Sequence, residues 1–187
     1  FLLARLYHQL GDYGRAQALA TSLTKKYPQD PRSSVLMAAL SEVRGDQGAA
    51  EGFYQQSLNV APDNILAKYN LARLARESGD METARERFQS VLLAQPGHLP
   101  SLIALAQIAL DTGSPTDALE LLEQARATNA ASTDLLVALA DMYSRMGRHS
   151  DGLIAAQQAA ALTPHYPQVR LVLGRAQRGA GQVDAAR

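Results

Sequence analysis

The sequence predicts an all-α protein built from antiparallel helix hairpins, and three of its features recur in register. Glycines return every 34 residues, a period typical of helix-hairpin repeats, at Gly11, Gly45, Gly79, Gly113, Gly147 and Gly181. Small residues flank these glycines at fixed distances, and prolines return in the same register. Self-similarity with a period of roughly 20–50 residues is the signature of a repeat array.

Each recurring glycine is expected to end the first helix of a hairpin, because glycine adopts a positive φ without steric cost. A good N-cap residue for the second helix follows four of the six glycines: Asp12, Asp46, Asp80 and Ser114. Arg148 and Gln182 follow the other two and are weaker caps. Pro115 suits the first turn of a second helix, where a missing N–H costs little.

Two columns of small residues predict where the paired helices touch. Seven residues before the glycines stand Ala4, Ala38, Ala72, Ala106, Ala140 and Gly174. Five residues after them stand Ala16, Ala50, Ala84, Ala118, Gly152 and Ala186. A larger side chain in either column would push the helices apart.

Prolines are expected to end the second helices, because proline lacks the N–H that continues a helix. They stand at Pro28, Pro62, Pro96 and Pro164, and Ala130 takes the place once. Just beyond them, Asp30, Asn64 and Ser132 can cap the next first helix, and Pro31 follows Asp30 suitably.

These columns resemble the tetratricopeptide repeat (TPR) along the whole chain: a large apolar residue, a small residue, a glycine turn, a second small residue and a proline. The resemblance implies a right-handed α-solenoid of about five and a half repeats. The aromatic residue usual early in the first helix is absent from its column. The resemblance also extends, more loosely, to TPR proteins of bacterial envelope and exopolysaccharide export.

We expect a single solenoid over residues 1–187. It divides into repeats 31–64, 65–98, 99–132 and 133–166, with partial repeats at 1–30 and 167–187. Neither end carries a polar capping element, so we expect the array to be part of a longer one. Its ends should then expose apolar surface, through which the fragment could self-associate.

Composition excludes several classes of function. The 18 basic and 18 acidic residues balance, which argues against binding nucleic acid or an anionic membrane surface. There is no cysteine, so disulfides and thiolate metal sites are excluded. No apolar run reaches the roughly 20 residues of a membrane span, so this fragment should not insert directly. Few lysines and many alanines favour a bacterial source, but composition does not choose between periplasm or envelope and cytoplasm.

No catalytic, metal or cofactor site is expected. The four histidines, His8, His98, His149 and His165, lack the short helical spacing of a metal-binding pair. Residues 149–151 read His-Ser-Asp, but adjacent residues on a helix point in different directions and cannot form a triad. Each glycine belongs to a helix turn and not to a phosphate-binding loop.

The resemblance implies that first helices line a concave groove, and helical periodicity then selects the residues that face it. Nine of them are the candidate binding residues: Arg5, Val35, Tyr69, Arg73, Arg76, Gln107, Asp141, Arg145 and Arg175. Tyr69, Arg73 and Arg76 form the strongest cluster, because tyrosine and arginine dominate binding hot spots. The same residues would also suit a solvated helix face.

The mixed lining of the groove suits a peptide or a partner helix. Some TPR proteins grip a peptide C-terminus with groove lysines and asparagines. Asn70 stands at such a place, but Leu66, Pro100, Asp134 and Gln168 occupy the columns of the expected lysines. This clamp is therefore not expected.

Three functions remain open at this point. The leading interpretation is a non-catalytic scaffold that binds a peptide or partner protein in its concave groove. A second is a structural spacer or bridge in a bacterial envelope secretion or assembly machine. A third is an accessory region of a larger enzyme, such as a glycosyltransferase, with catalysis elsewhere.

Overall fold

A computed structural model describes residues 1–129 and 131–181, and within these ranges the chain forms eleven α-helices and no strand. The helices are α1 (Leu2–Gln9), α2 (Tyr13–Lys26), α3 (Pro31–Val43), α4 (Gln47–Val60), α5 (Ile65–Glu77), α6 (Met81–Ala94), α7 (Leu99–Asp111), α8 (Pro115–Asn129), α9 (Thr133–Arg145), α10 (His149–Leu162) and α11 (Pro167–Gly179). The predicted all-α fold of antiparallel hairpins is confirmed.

The chain divides into two compact units, residues 1–95 and residues 96–187. The first unit holds the hairpins α1–α2, α3–α4 and α5–α6. The second holds α7–α8 and α9–α10, followed by α11, which packs on both α9 and α10. The predicted residues Ala130, Gln182 and Ala186 lie outside the described ranges.

The six recurring glycines follow the first helices, and five of them join the two helices of a described hairpin. Each has a positive φ between 73° and 88°, and no other residue type in the described ranges does. The hinge at Gly79 shows the local pattern. The Gly79 N–H donates to the carbonyl of Arg76 at 3.1 Å, and the Asp80 N–H donates to that of Ala75 at 2.9 Å. These bonds satisfy carbonyls that the end of α5 would otherwise leave unpaired.

Side-chain caps begin most helices as expected. The Asp46 carboxylate accepts a hydrogen bond from the Ala49 N–H at 3.0 Å, and the Asp80 carboxylate accepts one from the Thr83 N–H at 3.1 Å. The Asn64 side-chain oxygen accepts one from the Ala67 N–H at 3.2 Å. Arg148 makes no side-chain cap bond, in agreement with its poor cap chemistry. Four second helices end two residues before a proline, at Lys26, Val60, Ala94 and Leu162.

The small columns lie where the helices of a hairpin meet. Ala38, Ala72, Ala84 and Ala118 are at most 1% exposed. Gly152 shows how tight the contact can be. A Cβ at this position would lie 2.9 Å from Ser144 Oγ and 3.1 Å from the Ala140 carbonyl oxygen. The α9–α10 hairpin therefore needs glycine here, whereas the other described hairpins accommodate alanine.

Helix α1 and the residue that follows it carry a row of exposed leucines. Leu2, Leu3, Leu6 and Leu10 are between 46% and 75% exposed. Self-association through such a surface stays a prediction. In the described ranges, every helix falls short of the length and hydropathy that crossing a bilayer would require.

Candidate partner-binding faces

The candidate binding residues lie on first helices, which are neighbours within each unit. We call the exposed side chains of α1, α3 and α5 the first-helix face of the first unit. Those of α7, α9 and α11 form the first-helix face of the second unit. Side-chain contacts join neighbouring first helices in both: Arg73 of α5 pairs with Glu42 of α3, and Arg145 of α9 pairs with Asp111 of α7.

In the first unit, Arg73 is the centre of a polar network. Its guanidinium forms ion pairs with Glu42 of α3 and, at 2.7 Å, with Glu77 one turn along α5. Its Nε also donates to Asn70 Oδ1 at 3.4 Å. The side chains of Arg73 and Glu42 are each 23% exposed. Burial opposes the charge on Arg73, but its bonds with Glu77 and Glu42 prevail and raise its pKa.

Tyr54 of α4 completes this network from the second helix. Its hydroxyl donates to Glu42 Oε1 at 2.6 Å, and the residue is only 2% exposed. Burial, with the hydrogen bond to Glu42, raises the pKa of Tyr54 far above its usual value. Glu42 thus accepts from a phenol on one side and a guanidinium on the other, which ties α3, α4 and α5 together.

The other candidates of the first unit have surroundings of their own. The Tyr69 ring lies 5.7 Å from the ring of Phe88 in its own hairpin and is half-buried. Val35 packs against the core that contains Ala38 and Leu71. Arg5 is exposed, and Arg76 is half-buried and forms no ion pair within the described ranges. The structure brings Arg73 into contact with Glu42 and Glu77, which the sequence analysis had not paired with it.

In the second unit, the corresponding arginines are more exposed and less tightly held. Arg145 contacts Asp111 Oδ1 at 3.3 and 3.4 Å, and its side chain is 44% exposed. Gln107 donates to the same oxygen at 2.9 Å. Arg175 lies 3.6 Å from Asp141, beyond hydrogen-bond length, and is 55% exposed. Exposed ion pairs of this kind contribute at most about 1 kcal/mol to folding stability.

An open cavity of about 400 Å³ lies between these two arginines. Asp141, Ser144, Arg145 and Arg175 line it. The Ser144 hydroxyl donates to the Ala140 carbonyl at 2.8 Å, so its oxygen can only accept from a ligand. The cavity thus offers donors from both guanidinium groups and acceptors from a carboxylate and a hydroxyl.

Two of the four histidines have clear contacts within the fold. His98 begins α7 and accepts the Ser101 N–H at 3.3 Å, a cap that sequence analysis missed because histidine is an unusual N-cap. Burial lowers the pKa of His98, which favours this neutral, accepting form. His149 lies against Gly179, while Asp151 pairs with Arg148 at 2.7 Å. The described ranges hold no group of three or more side chains suited to binding a metal ion.

Comparison with known protein families identifies three matching models. One is described as the Cilia and flagella-associated protein 70 middle TPR-like domain and matches residues 35–163. Two others, both described as Tetratricopeptide repeat, match residues 1–65 and 167–187. No curated protein sequence matches the chain.

Solved structures share the fold at low sequence identity. PilF of Pseudomonas aeruginosa is 16% identical, with a TM-score of 0.84 over 99% of this chain and 84% of that one. MamA is 20% identical, with a TM-score of 0.66 over 83% and 85% of the two chains. YrrB, described as a TPR protein with an unusual peptide-binding site, is 16% identical, with a TM-score of 0.64 over 89% and 86%. At these identities the similarity shows the fold alone.

Proposed function

Since this chain belongs to the tetratricopeptide-repeat family, we propose that it is a non-catalytic scaffold that binds a peptide or a segment of a partner protein. The binding surfaces are the first-helix faces of its units. A stack of helix hairpins presents extended side-chain surfaces, which suit a protein partner better than a small substrate.

The observation that carries this proposal is the state of the arginines in the second unit. Arg145 and Arg175 flank a cavity of about 400 Å³, and among the described residues each has one acidic partner, at 3.3 Å or more. A guanidinium group has five N–H donors. Within the described ranges, no N–H group of Arg175 donates a hydrogen bond. Two N–H groups of Arg145 donate to a single oxygen, Asp111 Oδ1. Most of these donors are therefore available to a ligand.

The donors and acceptors of this cavity suit a peptide. Peptide carbonyls and acidic side chains can accept from Arg145 and Arg175, while peptide N–H groups can donate to Asp141 and Ser144. Gln107 holds Asp111 and so restrains Arg145. Leu171, 54% exposed on α11, offers an apolar contact on the same first-helix face.

The first unit contributes a second candidate surface. Arg5, Arg76, Tyr69 and Val35 are the proposed contact residues there. Arg73 is proposed to act mainly by keeping the surface in shape, because Glu42 and Glu77 already occupy its guanidinium group. We expect its contribution to binding to be smaller than that of Arg145 or Arg175.

The direct test is selection from a random peptide library against the 187-residue chain, followed by mapping of the selected peptides by NMR. We expect chemical-shift changes at amides of first helices, above all near Arg145 and Arg175 in α9 and α11. Changes confined to the second helices α8 and α10 would contradict the proposal. So would a library from which no peptide is enriched over a control surface.

A further inference from the structure

A small cavity lies in the first unit, away from the first-helix face. Its volume is about 200 Å³, below the roughly 300–1,000 Å³ of sites for drug-sized ligands. It therefore suits one side chain of a partner. The start of α4, the end of α5 and the start of α6 form its walls, which include Gly48, Glu51, Leu74, Ala75, Asp80 and Arg87.

The repeat register shows which column of residues borders this space. Residues 7, 41, 75, 109, 143 and 177 share one column, and tyrosine occupies it at Tyr7 and Tyr143. In the second unit, Tyr143 fills its position and is only 8% exposed. In the first unit, Ala75 stands in this column and lines the cavity. The cavity is thus bordered by a position where the same fold elsewhere in the chain holds a phenol ring.

The surroundings of Tyr143 show which groups such a ring uses. Its hydroxyl donates to Glu123 Oε1 at 3.0 Å, and the guanidinium of Arg148 lies 4.6 Å from the ring centroid. Tyr7, in the same column, has Arg15 at 5.5 Å from its ring centroid. A carboxylate at the hydroxyl and a guanidinium at the ring therefore surround Tyr143, and Tyr7 shares the guanidinium.

The cavity beside Ala75 offers the same kinds of groups. Arg87 is held at its wall by a 3.0 Å hydrogen bond to the carbonyl of Leu71. Glu51 meets Arg87 only through Oε1, at 3.3 and 3.4 Å, so its other oxygen can accept from a ligand. Leu74, 7% exposed, and Ala75 supply the apolar surface on which a ring can pack.

We propose that this cavity receives a tyrosine side chain of a partner protein. The ring packs on Leu74 and Ala75 beside the guanidinium of Arg87, and the hydroxyl donates to Glu51. This site is separate from the first-helix faces, so it adds a further point of attachment that does not depend on their role.

The probe for this site is p-cresol, the isolated side chain of tyrosine, titrated into the ¹⁵N-labelled chain. We expect saturable shifts at amides around the cavity, such as those of Ala75 and Thr83, with a dissociation constant on the order of millimolar for so small a ligand. Toluene lacks the hydroxyl and should bind about tenfold more weakly, because a hydrogen bond to a carboxylate is lost.

Two variants should abolish the shifts. Ala75→Tyr fills the cavity from within, as Tyr143 does in the second unit. Gln47→Trp covers it from the exposed start of α4, where a change carries little risk to folding. Gln56→Trp, an exposed position further along α4, is the matched control and should bind p-cresol as the parent does.

Loss of binding in both cavity variants, with binding kept in the control, supports the proposal. If Ala75→Tyr does not fold, Gln47→Trp decides alone. Shifts that are absent in the parent, or that persist in Gln47→Trp, overturn the site. Equal affinity for toluene and p-cresol overturns the assignment of tyrosine.

Discussion

On the first-helix face of residues 1–95, the side chain of Arg73 is 23% exposed and forms ion pairs with two glutamates. On that of residues 96–181, the side chains of Arg145 and Arg175 are 44% and 55% exposed, and each meets one aspartate. All three are arginines on first helices of tetratricopeptide hairpins, each in a different repeat. We infer from the difference that burial and the number of acidic partners, and not residue type, decide whether such an arginine stabilises the fold or remains available to a partner.

This comparison assumes that the two units share the same helix packing and differ only at the surface. Ala84 and Ala118 test the assumption, because they occupy the same small column in different units and are both 0% exposed. We expect Ala84→Leu and Ala118→Leu each to lower the free energy of unfolding by about 1–3 kcal/mol or more, because the larger side chain overpacks the hairpin. Urea unfolding followed by circular dichroism measures both, and a variant as stable as the parent would show that its unit does not have this packing.

Replacing single arginines tests the comparison itself. Arg73→Gln removes the positive charge that pairs with both Glu42 and Glu77 and leaves a neutral amide between them. We therefore expect the free energy of unfolding to fall by about 1–3 kcal/mol. Arg175→Gln should change stability by less than about 0.5 kcal/mol, because its pair is exposed. The same urea experiment compares the two variants. Equal losses would mean that the two arginines do not differ in the way their exposure suggests.

Alkaline pH should weaken the first unit through Tyr54. Its pKa in the folded chain is raised, first by burial and then by Glu42, above the value of about 10 in an unfolded chain. As pH rises, the Tyr54 hydroxyl therefore loses its proton in the unfolded state before it does so in the folded state. The contribution of Tyr54 to folding stability is fully present below about pH 10 and falls as pH rises above that value. Tyr54→Phe should lessen this fall.

The matched control for that experiment is Tyr13→Phe, since Tyr13 is 44% exposed. It should leave the alkaline loss of stability unchanged. Urea midpoints of the parent and both variants, measured at neutral pH and above pH 10, give the comparison. An identical pH dependence of the urea midpoint in the parent and in Tyr54→Phe would show that Tyr54 does not cause the alkaline loss of stability.

Much of the fold could be predicted from the sequence because its determinants are local and repeated. A helix that ends at Gly79 requires a positive φ there, whatever lies around it. The small columns are equally predictable, since any stacked hairpin needs small residues where its helices cross. Gly152, however, looks like any other member of its column, and its close contact with Ser144 depends on the approach of two particular helices.

The candidate site was less predictable because it depends on contacts between repeats. Asp111 and Arg145 stand one repeat apart in the same column, as do Asp141 and Arg175, so a search for opposite charges at this spacing would have paired them. Glu42 and Arg73 stand 31 residues apart, nearly one helical turn short of the 34-residue repeat, so that search would have missed this pair. The contact of the Tyr69 ring with the tilted ring of Phe88 likewise depends on how α5 packs on α6.

The central claim is that Arg145 and Arg175 bind a partner, and titration calorimetry of a library-selected peptide tests it most directly. Arg126 of α8 is the matched control, because its side chain is 49% exposed and also pairs with one acid, Glu123. We expect the Arg145→Gln/Arg175→Gln variant to lose at least about tenfold in affinity, as the loss of charged hydrogen bonds predicts, with an unchanged melting temperature. Arg126→Gln should bind as the parent does. Unchanged affinity in the double variant, or an equal loss in Arg126→Gln, would contradict the account.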